Sequence, residues 1–271
     1  MIEKIFGALV RALLVSFVIA APSLFLSDIS QDASHVTITL GLIFGGLVYL
    51  EYVYESPSLV EFRNAPPFNR IRFIWLAVTI VAFCSFFQTR LNGEDLGVLG
   101  SVATILGHAF DFPYSPVRLV TLIVPFGADP VVVEVILMSA GFGLLGFVTV
   151  SLLFYSYIRV TRWPTSQGTF NIWQNLPLFD PLADGQLADH LRRDGRVNIC
   201  LGVLLLFIIP ATIRMAAPYL GTDFLTEPQN LIWVLSAWSV LPTSLVMRGI
   251  AMLRVAEIVD AEYVLPTHQT V

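Results

Sequence analysis

Six long apolar runs, joined by loops that alternate between arginine-rich and arginine-poor, constrain this chain more than any other feature. A helix needs roughly 20 mostly apolar residues to cross a hydrocarbon layer of about 30 Å. The runs that qualify are 5–26, 36–54, 73–89, 131–158, 197–217 and 231–252. Composition agrees. Hydrophobic residues make up 56% of the 271 and charged residues 13%, against about 45–50% and about 25% in soluble domains. The runs lack the two-residue alternation of a transmembrane barrel. The expected fold is all-α: a polytopic transmembrane helical bundle of about six spanning helices, with a short outer-face helical hairpin at 96–126 and a cytoplasmic loop at 159–196. All of it forms a single integral membrane domain over 1–271.

Orientation follows the placement of Lys and Arg in short loops. Lys4, Arg11, Arg63, Arg70, Arg72, Arg159, Arg162, Arg192, Arg193, Arg196, Arg248 and Arg254 fall on one side, and only Arg90, Arg118 and Arg214 on the other. Both termini are therefore expected in the cytoplasm. The basic start and the small residues Ala20 and Ala21 fit a cleavable signal, but the apolar run continues to Leu26, which favours an uncleaved first span. Fourteen of the fifteen basic residues are arginine, as a GC-rich coding sequence would give. The expected location is a bacterial inner (cytoplasmic) membrane.

The segment 96–126 is the least ordinary. Leu96, Leu99, Val102, Leu106 and Phe110 recur on one helical face, and Gly97, Gly100, Ser101, Thr104 and Gly107 form a small-residue side suited to close packing. Pro113 and Pro116 break the helix, and a short apolar run follows. Neither piece spans alone. Counting both as one crossing would reverse every later loop and move the arginines between Arg159 and Arg196 outside. That leaves a hairpin entering and leaving from the outer face, or two helices lying on it. Its few polar groups favour the second, a cap on the bundle.

The loop after the second run carries Arg63, Pro66, Pro67, Arg70 and Arg72, a rigid basic stretch that reads as a docking surface or headgroup site, beside the plainer reading of a link with ordinary cytoplasmic charge. The loop at 159–196 holds Trp173 and Phe179, large apolar groups that would meet headgroups or another subunit. Its downstream acids do not match a calcium loop. Asp189 and Arg193 at i, i+4, closed by Gly195, read instead as a short solvated helix.

Elimination covers the rest. No ionisable residue falls at the centre of a run, which argues against a proton-coupled transporter. His108, Glu134 and Arg214 form a candidate outer-face polar site, with Glu134 and Arg214 near enough to their span ends to pair across the bundle. Cys84 and Cys200 lie inside runs without metal spacing. There is no G-x-S-x-G, H-E-x-x-H, P-loop or C-x-x-C. No catalytic residue, metal ligand or cofactor is assigned. The expected role is an accessory, scaffold or assembly subunit of a larger membrane complex, with the bilayer and other membrane subunits as partners, a homo-oligomer as a further option, and no nucleic acid. The alternatives are a channel or secondary transporter using the hairpin, and a lipid-handling enzyme.

Overall fold

The computed structural model describes residues 2–27, 29–54, 59–95, 97–125, 127–161, 163–164, 175–176, 187–220 and 224–264. Among them the regular structure is helical: α1 (Ile2–Phe25), α2 (Gln31–Val53), α3 (Phe68–Leu91), α4 (Gly97–Phe110), α5 (Pro116–Thr121), α6 (Pro130–Val160), α7 (Leu187–Leu220) and α8 (Pro228–Val264). Six of them, α1, α2, α3, α6, α7 and α8, are long and apolar enough to cross a membrane. The chain is a multi-pass membrane protein built as a helical bundle.

Glycines set the helix pairs. Gly41 and Gly45 of α2 lie against Ser16 and Ala12 of α1, and Ser16 Oγ donates to the Gly41 carbonyl at 2.9 Å. The G-x-x-x-G pair thus closes a contact within this chain. On α7 and α8, Gly195 and Gly249 meet backbone to backbone, and a Cβ on Gly202 would stand 2.8 Å from the Pro242 carbonyl oxygen. The central layer is α3, α6 and α8. Gly146 of α6 makes room for the Trp75 ring, and Gly143 packs on Trp238 and Ser239.

The apolar interior divides into two clusters. One, around Phe83, Phe86, Phe87, Met138 and Trp238, fills the end bearing the hairpin. The other, around Phe62, Phe68, Phe154, Trp163 and Met247, fills the end bearing the termini. Large side chains such as Leu42, Ile43, Leu152 and Leu204 remain exposed, as lipid-facing positions should.

Two helices run ten or more residues past the predicted spans. α7 begins at Leu187 and α8 ends at Val264, so the short helix expected around Asp189 and Arg193 is the start of α7 and not a separate element of a loop. Gly195 is accordingly not a C-cap. It sits inside α7, where its missing side chain admits Gly249 and Leu253. Asp189 pairs with Arg192 at 3.1 Å, Arg193 with Asp194 at 3.4 Å, and Arg192 also holds Asp260 of α8. These polar turns stay helical because they pack on each other beyond the apolar layer.

Candidate functional site

The hairpin puts charge at a depth where the spanning runs carry none. α3 ends beside an ion pair between Arg90 and Glu134, 3.1 Å apart, so the chain starts toward α4 at the rim of the bundle. At Gly107 the α4 backbone lies against α6: a Cβ there would stand 2.8 Å from the Leu137 carbonyl oxygen, and a Cβ on Gly141 would stand 2.7 Å from the Leu106 carbonyl carbon. Gly141 is seven residues, about 10 Å of helix, inward of Glu134. α4 therefore enters the bundle rather than lying across its end. Gly100, Ala103 and Gly107 form its buried line. The large residues Leu99, Val102 and Ile105 are exposed. Ser101 and Thr104 return hydrogen bonds to their own helix at Gly97 and Gly100.

The return leg is short. Ser115, buried to 1% exposure, caps α5 by accepting from the Arg118 amide at 3.0 Å, and Pro116 occupies the first turn. Val117, Val120 and Ile123 seat α5 in the core. The chain regains the rim at Val124, whose carbonyl accepts from Arg214 Nη1 at 3.4 Å.

Between the legs, Arg118 Nε stands 2.7 Å from Asp111 Oδ1. That oxygen is buried and lies off the N–H axis, so the contact is an ion contact more than an aligned hydrogen bond. The Asp111 side chain is 18% exposed and that of Arg118 46%. Phe112 and Tyr114, at the turn, are 54% and 88% exposed. Arg72, at the other rim, lies a turn beyond Trp75, which touches Gly146. The layer from Glu134 to that level is thus about 24 Å along α6, and α4 meets α6 at Gly141, about 10 Å into it. A charge within such a layer is costly, about 3 kcal/mol at the centre even by the mildest scale, and such groups mark functional surfaces.

Tyr114 adopts φ 66°, a left-handed conformation that costs an L-residue with a side chain roughly 1–2 kcal/mol. Its ring has little contact to lose. Tyr114→Gly is expected to raise the stability of the isolated protein by about 0.5–1 kcal/mol, read from thermal unfolding in detergent. A fall in stability would mean that the ring is held by packing.

The residues singled out from the sequence are dispersed. Glu134 does not pair with Arg214. Its partner is Arg90, because α3 packs beside α6 while Arg214 faces the hairpin's return leg. His108 is exposed on α4. At the opposite end Arg63 Nη1 donates to the carbonyls of Glu51 at 2.6 Å and Tyr54 at 3.0 Å, which ties the loop to α2. Arg72 stacks over the Phe68 ring at 5.2 Å and donates to Ser244 Oγ at 3.3 Å. Arg70 is exposed, and the Pro66–Pro67 bond is cis. Trp173 and Phe179 lie outside the described residues.

Three features escaped the sequence reading. Glu61 is 8% exposed and held by two Arg248 nitrogens, Nε at 2.6 Å and Nη2 at 2.8 Å. Trp163 is fully buried and donates to the Ala65 carbonyl at 3.1 Å, so this end carries a folded cap. At the hairpin end, a cavity of about 490 Å³ opens among Ser30, Gln88, Asn92, Glu227 and Gln229. Two of these amides are internally engaged: Gln88 bonds Ser27 at both ends, and Gln229 donates to Thr37 and Ser23. Among the described residues, no three or more His, Cys, Asp or Glu side chains converge to hold a metal. No protein-family model, curated protein or solved structure matches the chain.

Proposed function

We propose that this protein is a non-catalytic accessory or assembly subunit of a larger membrane complex, and that the tip of its hairpin docks on another membrane subunit. The observation that carries the reading is the Asp111–Arg118 pair, in which Arg118 is half-exposed and Asp111 mostly covered, beside the exposed Phe112 and Tyr114 at the turn of a hairpin whose first leg packs into the bundle. Lipid chains offer such groups no hydrogen bonds, and a polar partner does. The strained Tyr114 fits the same reading, since strain at an exposed side chain is kept where the side chain has work elsewhere. The excess of arginine at the end bearing the termini supports a cytoplasmic location for both, and a bacterial inner membrane is the compartment we assign.

The test is the native mass and subunit content of the particle extracted in mild detergent, for the parent chain and for a Phe112→Ala, Tyr114→Gly variant. Stoichiometric foreign subunits that the variant loses, while its own thermal midpoint does not fall, support the proposal. A homogeneous particle of this chain alone sinks it. The competing reading, a channel or secondary transporter, draws on the same pair as part of a permeation path. It predicts that a cysteine at the exposed Ser101 and one at Thr104 both react with membrane-impermeant reagents, and that the purified chain supports flux in vesicles.

A further inference from the structure

The seam where α3, α6 and α8 meet carries an unusual set of buried polar atoms. Trp75 Nε1, Thr79 Oγ1, Ser139 Oγ and Ser236 Oγ are enclosed and have no hydrogen-bond partner. Exposure of the four residues is 7%, 0%, 0% and 1%. Native interiors leave very few such groups, and each calls for an explanation. The indole N–H is the most telling, since a buried tryptophan normally finds an acceptor. Trp238, in the same layer, does so, donating to the Leu206 carbonyl at 2.9 Å.

Helix register gathers the four. Trp75 lies against Gly146, and Ser239 Oγ donates to the Gly143 carbonyl at 3.2 Å, which fixes α3 and α8 on the same strip of α6. Thr79 is one turn from Trp75, Ser139 one turn from Gly143, and Ser236 one turn from Ser239. All three steps lead toward the hairpin end, because α3 runs opposite to α6 and α8. In the other direction the strip passes Thr243, which bonds the Ser239 carbonyl, and reaches Arg72 on Ser244. Gly146 receives the Trp75 ring and Gly143 receives Trp238 and Ser239, so the three helices close on one another along a strip that the hydroxyls keep polar.

We propose that this seam is a hydration site: ordered water bridges Trp75, Thr79, Ser139 and Ser236, entering from the end that holds Arg72. Water is the ligand these groups select. They are three hydroxyls, each donor and acceptor, and one N–H, with no ionised group among them. The seam brings polar contact from one rim to mid-depth, on the side of α6 that faces α3 and α8 rather than the side covered by α4.

Two measurements on the intact protein in lipid nanodiscs test it. Radiolytic hydroxyl labelling, generated from bound water, is expected to oxidise Trp75 several-fold faster than Trp238. Equal and low labelling of the two would overturn the site. Thr79→Val gives an independent sign. If water bridges the hydroxyl, the variant loses thermal stability and Trp75 labelling falls with it. If the hydroxyl is simply orphaned, the methyl group stabilises the protein and leaves the labelling unchanged, and the proposal fails. Ser236→Ala repeats the test at a smaller side chain, with the same two outcomes.

Discussion

Gly141→Ala is expected to destabilise the protein by about 3 kcal/mol and to unseat the hairpin, the top of the range for overpacking a well-packed core. The added methyl group would enter the space of Gly107 N and Cα and would stand 2.7 Å from the Leu106 carbonyl carbon. Those are backbone atoms, so no rotamer change relieves the clash. Only a shift of α4 away from α6 does. The readout of that shift is a cysteine at Ala103, which is 1% exposed. It should be protected from a small maleimide in the parent and labelled in the Gly141→Ala background. Gly46→Ala is the matched control, because nothing lies within 4 Å of a Cβ at that position of α2. It should stabilise its helix, by up to about 1 kcal/mol from propensity alone. Equal effects at the two positions would mean that α4 is not seated on α6 as described.

The contrast between those glycines shows what the sequence could and could not say. Spanning helices are legible because lipid imposes length and apolarity on each run independently of its neighbours. The break at Pro113 and Pro116 was legible for the same local reason, and the charge parity of the later loops correctly required the intervening segment to return to its starting side. Depth was not legible. The small-residue side of α4, suited to close packing by its sequence, does supply the buried line of Gly100, Ala103 and Gly107, while Leu99 and Val102 of the bulky face are exposed; what the pattern leaves open is how far along α6 that line seats. Apolarity counted toward a cap, whereas the backbone contact between Gly107 and Gly141 seats α4 along α6. The ion pair was hidden in turn. Asp111 and Arg118 flank a proline break, which reads as a solvated turn until the helix before it is known to run inward.

Neighbour order was equally silent. Glu134 has two arginines near the same rim, Arg90 and Arg214, and nothing in chain spacing says that α3 rather than α7 lies beside it. Helix ends were misjudged where hydropathy stops but the helix does not. α7 and α8 continue through 187–196 and 253–264 because those polar turns pair with one another through Arg192 and Asp260. The cap at that end was visible only as prolines and arginines, because its organising groups, Glu51, Glu61 and Trp163, are single residues whose partners lie far away in sequence.

Glu61→Ala should cost about 3–5 kcal/mol, the usual penalty for removing one member of a buried ion pair. Glu61 accepts from Arg248 Nε at 2.6 Å and from Nη2 at 2.8 Å, the two-pronged geometry that makes arginine–carboxylate pairs strong. Its carboxylate is 9% exposed and the arginine 27%. Without it the Arg248 guanidinium remains at the edge of the apolar layer close to Arg72, two like charges that lose the carboxylate they share, with Asp194 the remaining acid that acts on Arg248. The loop also loses its anchor, since the Glu61 carbonyl accepts from Asn69 at 2.7 Å and neighbouring Phe62 packs on Trp163. Two variants separate charge from packing. Glu61→Gln keeps the shape and one acceptor, so a loss close to that of alanine assigns the effect to charge. Glu61→Leu combined with Arg248→Met removes both charges of the pair and with them the like-charge contact on Arg72, which keeps Ser244 and the Phe68 ring, so it should recover part of the stability. Thermal unfolding of the four proteins in one detergent reads the cycle. If the double variant is as unstable as Glu61→Ala, the pair does more than neutralise itself, and the basic end depends on Arg248 for another contact.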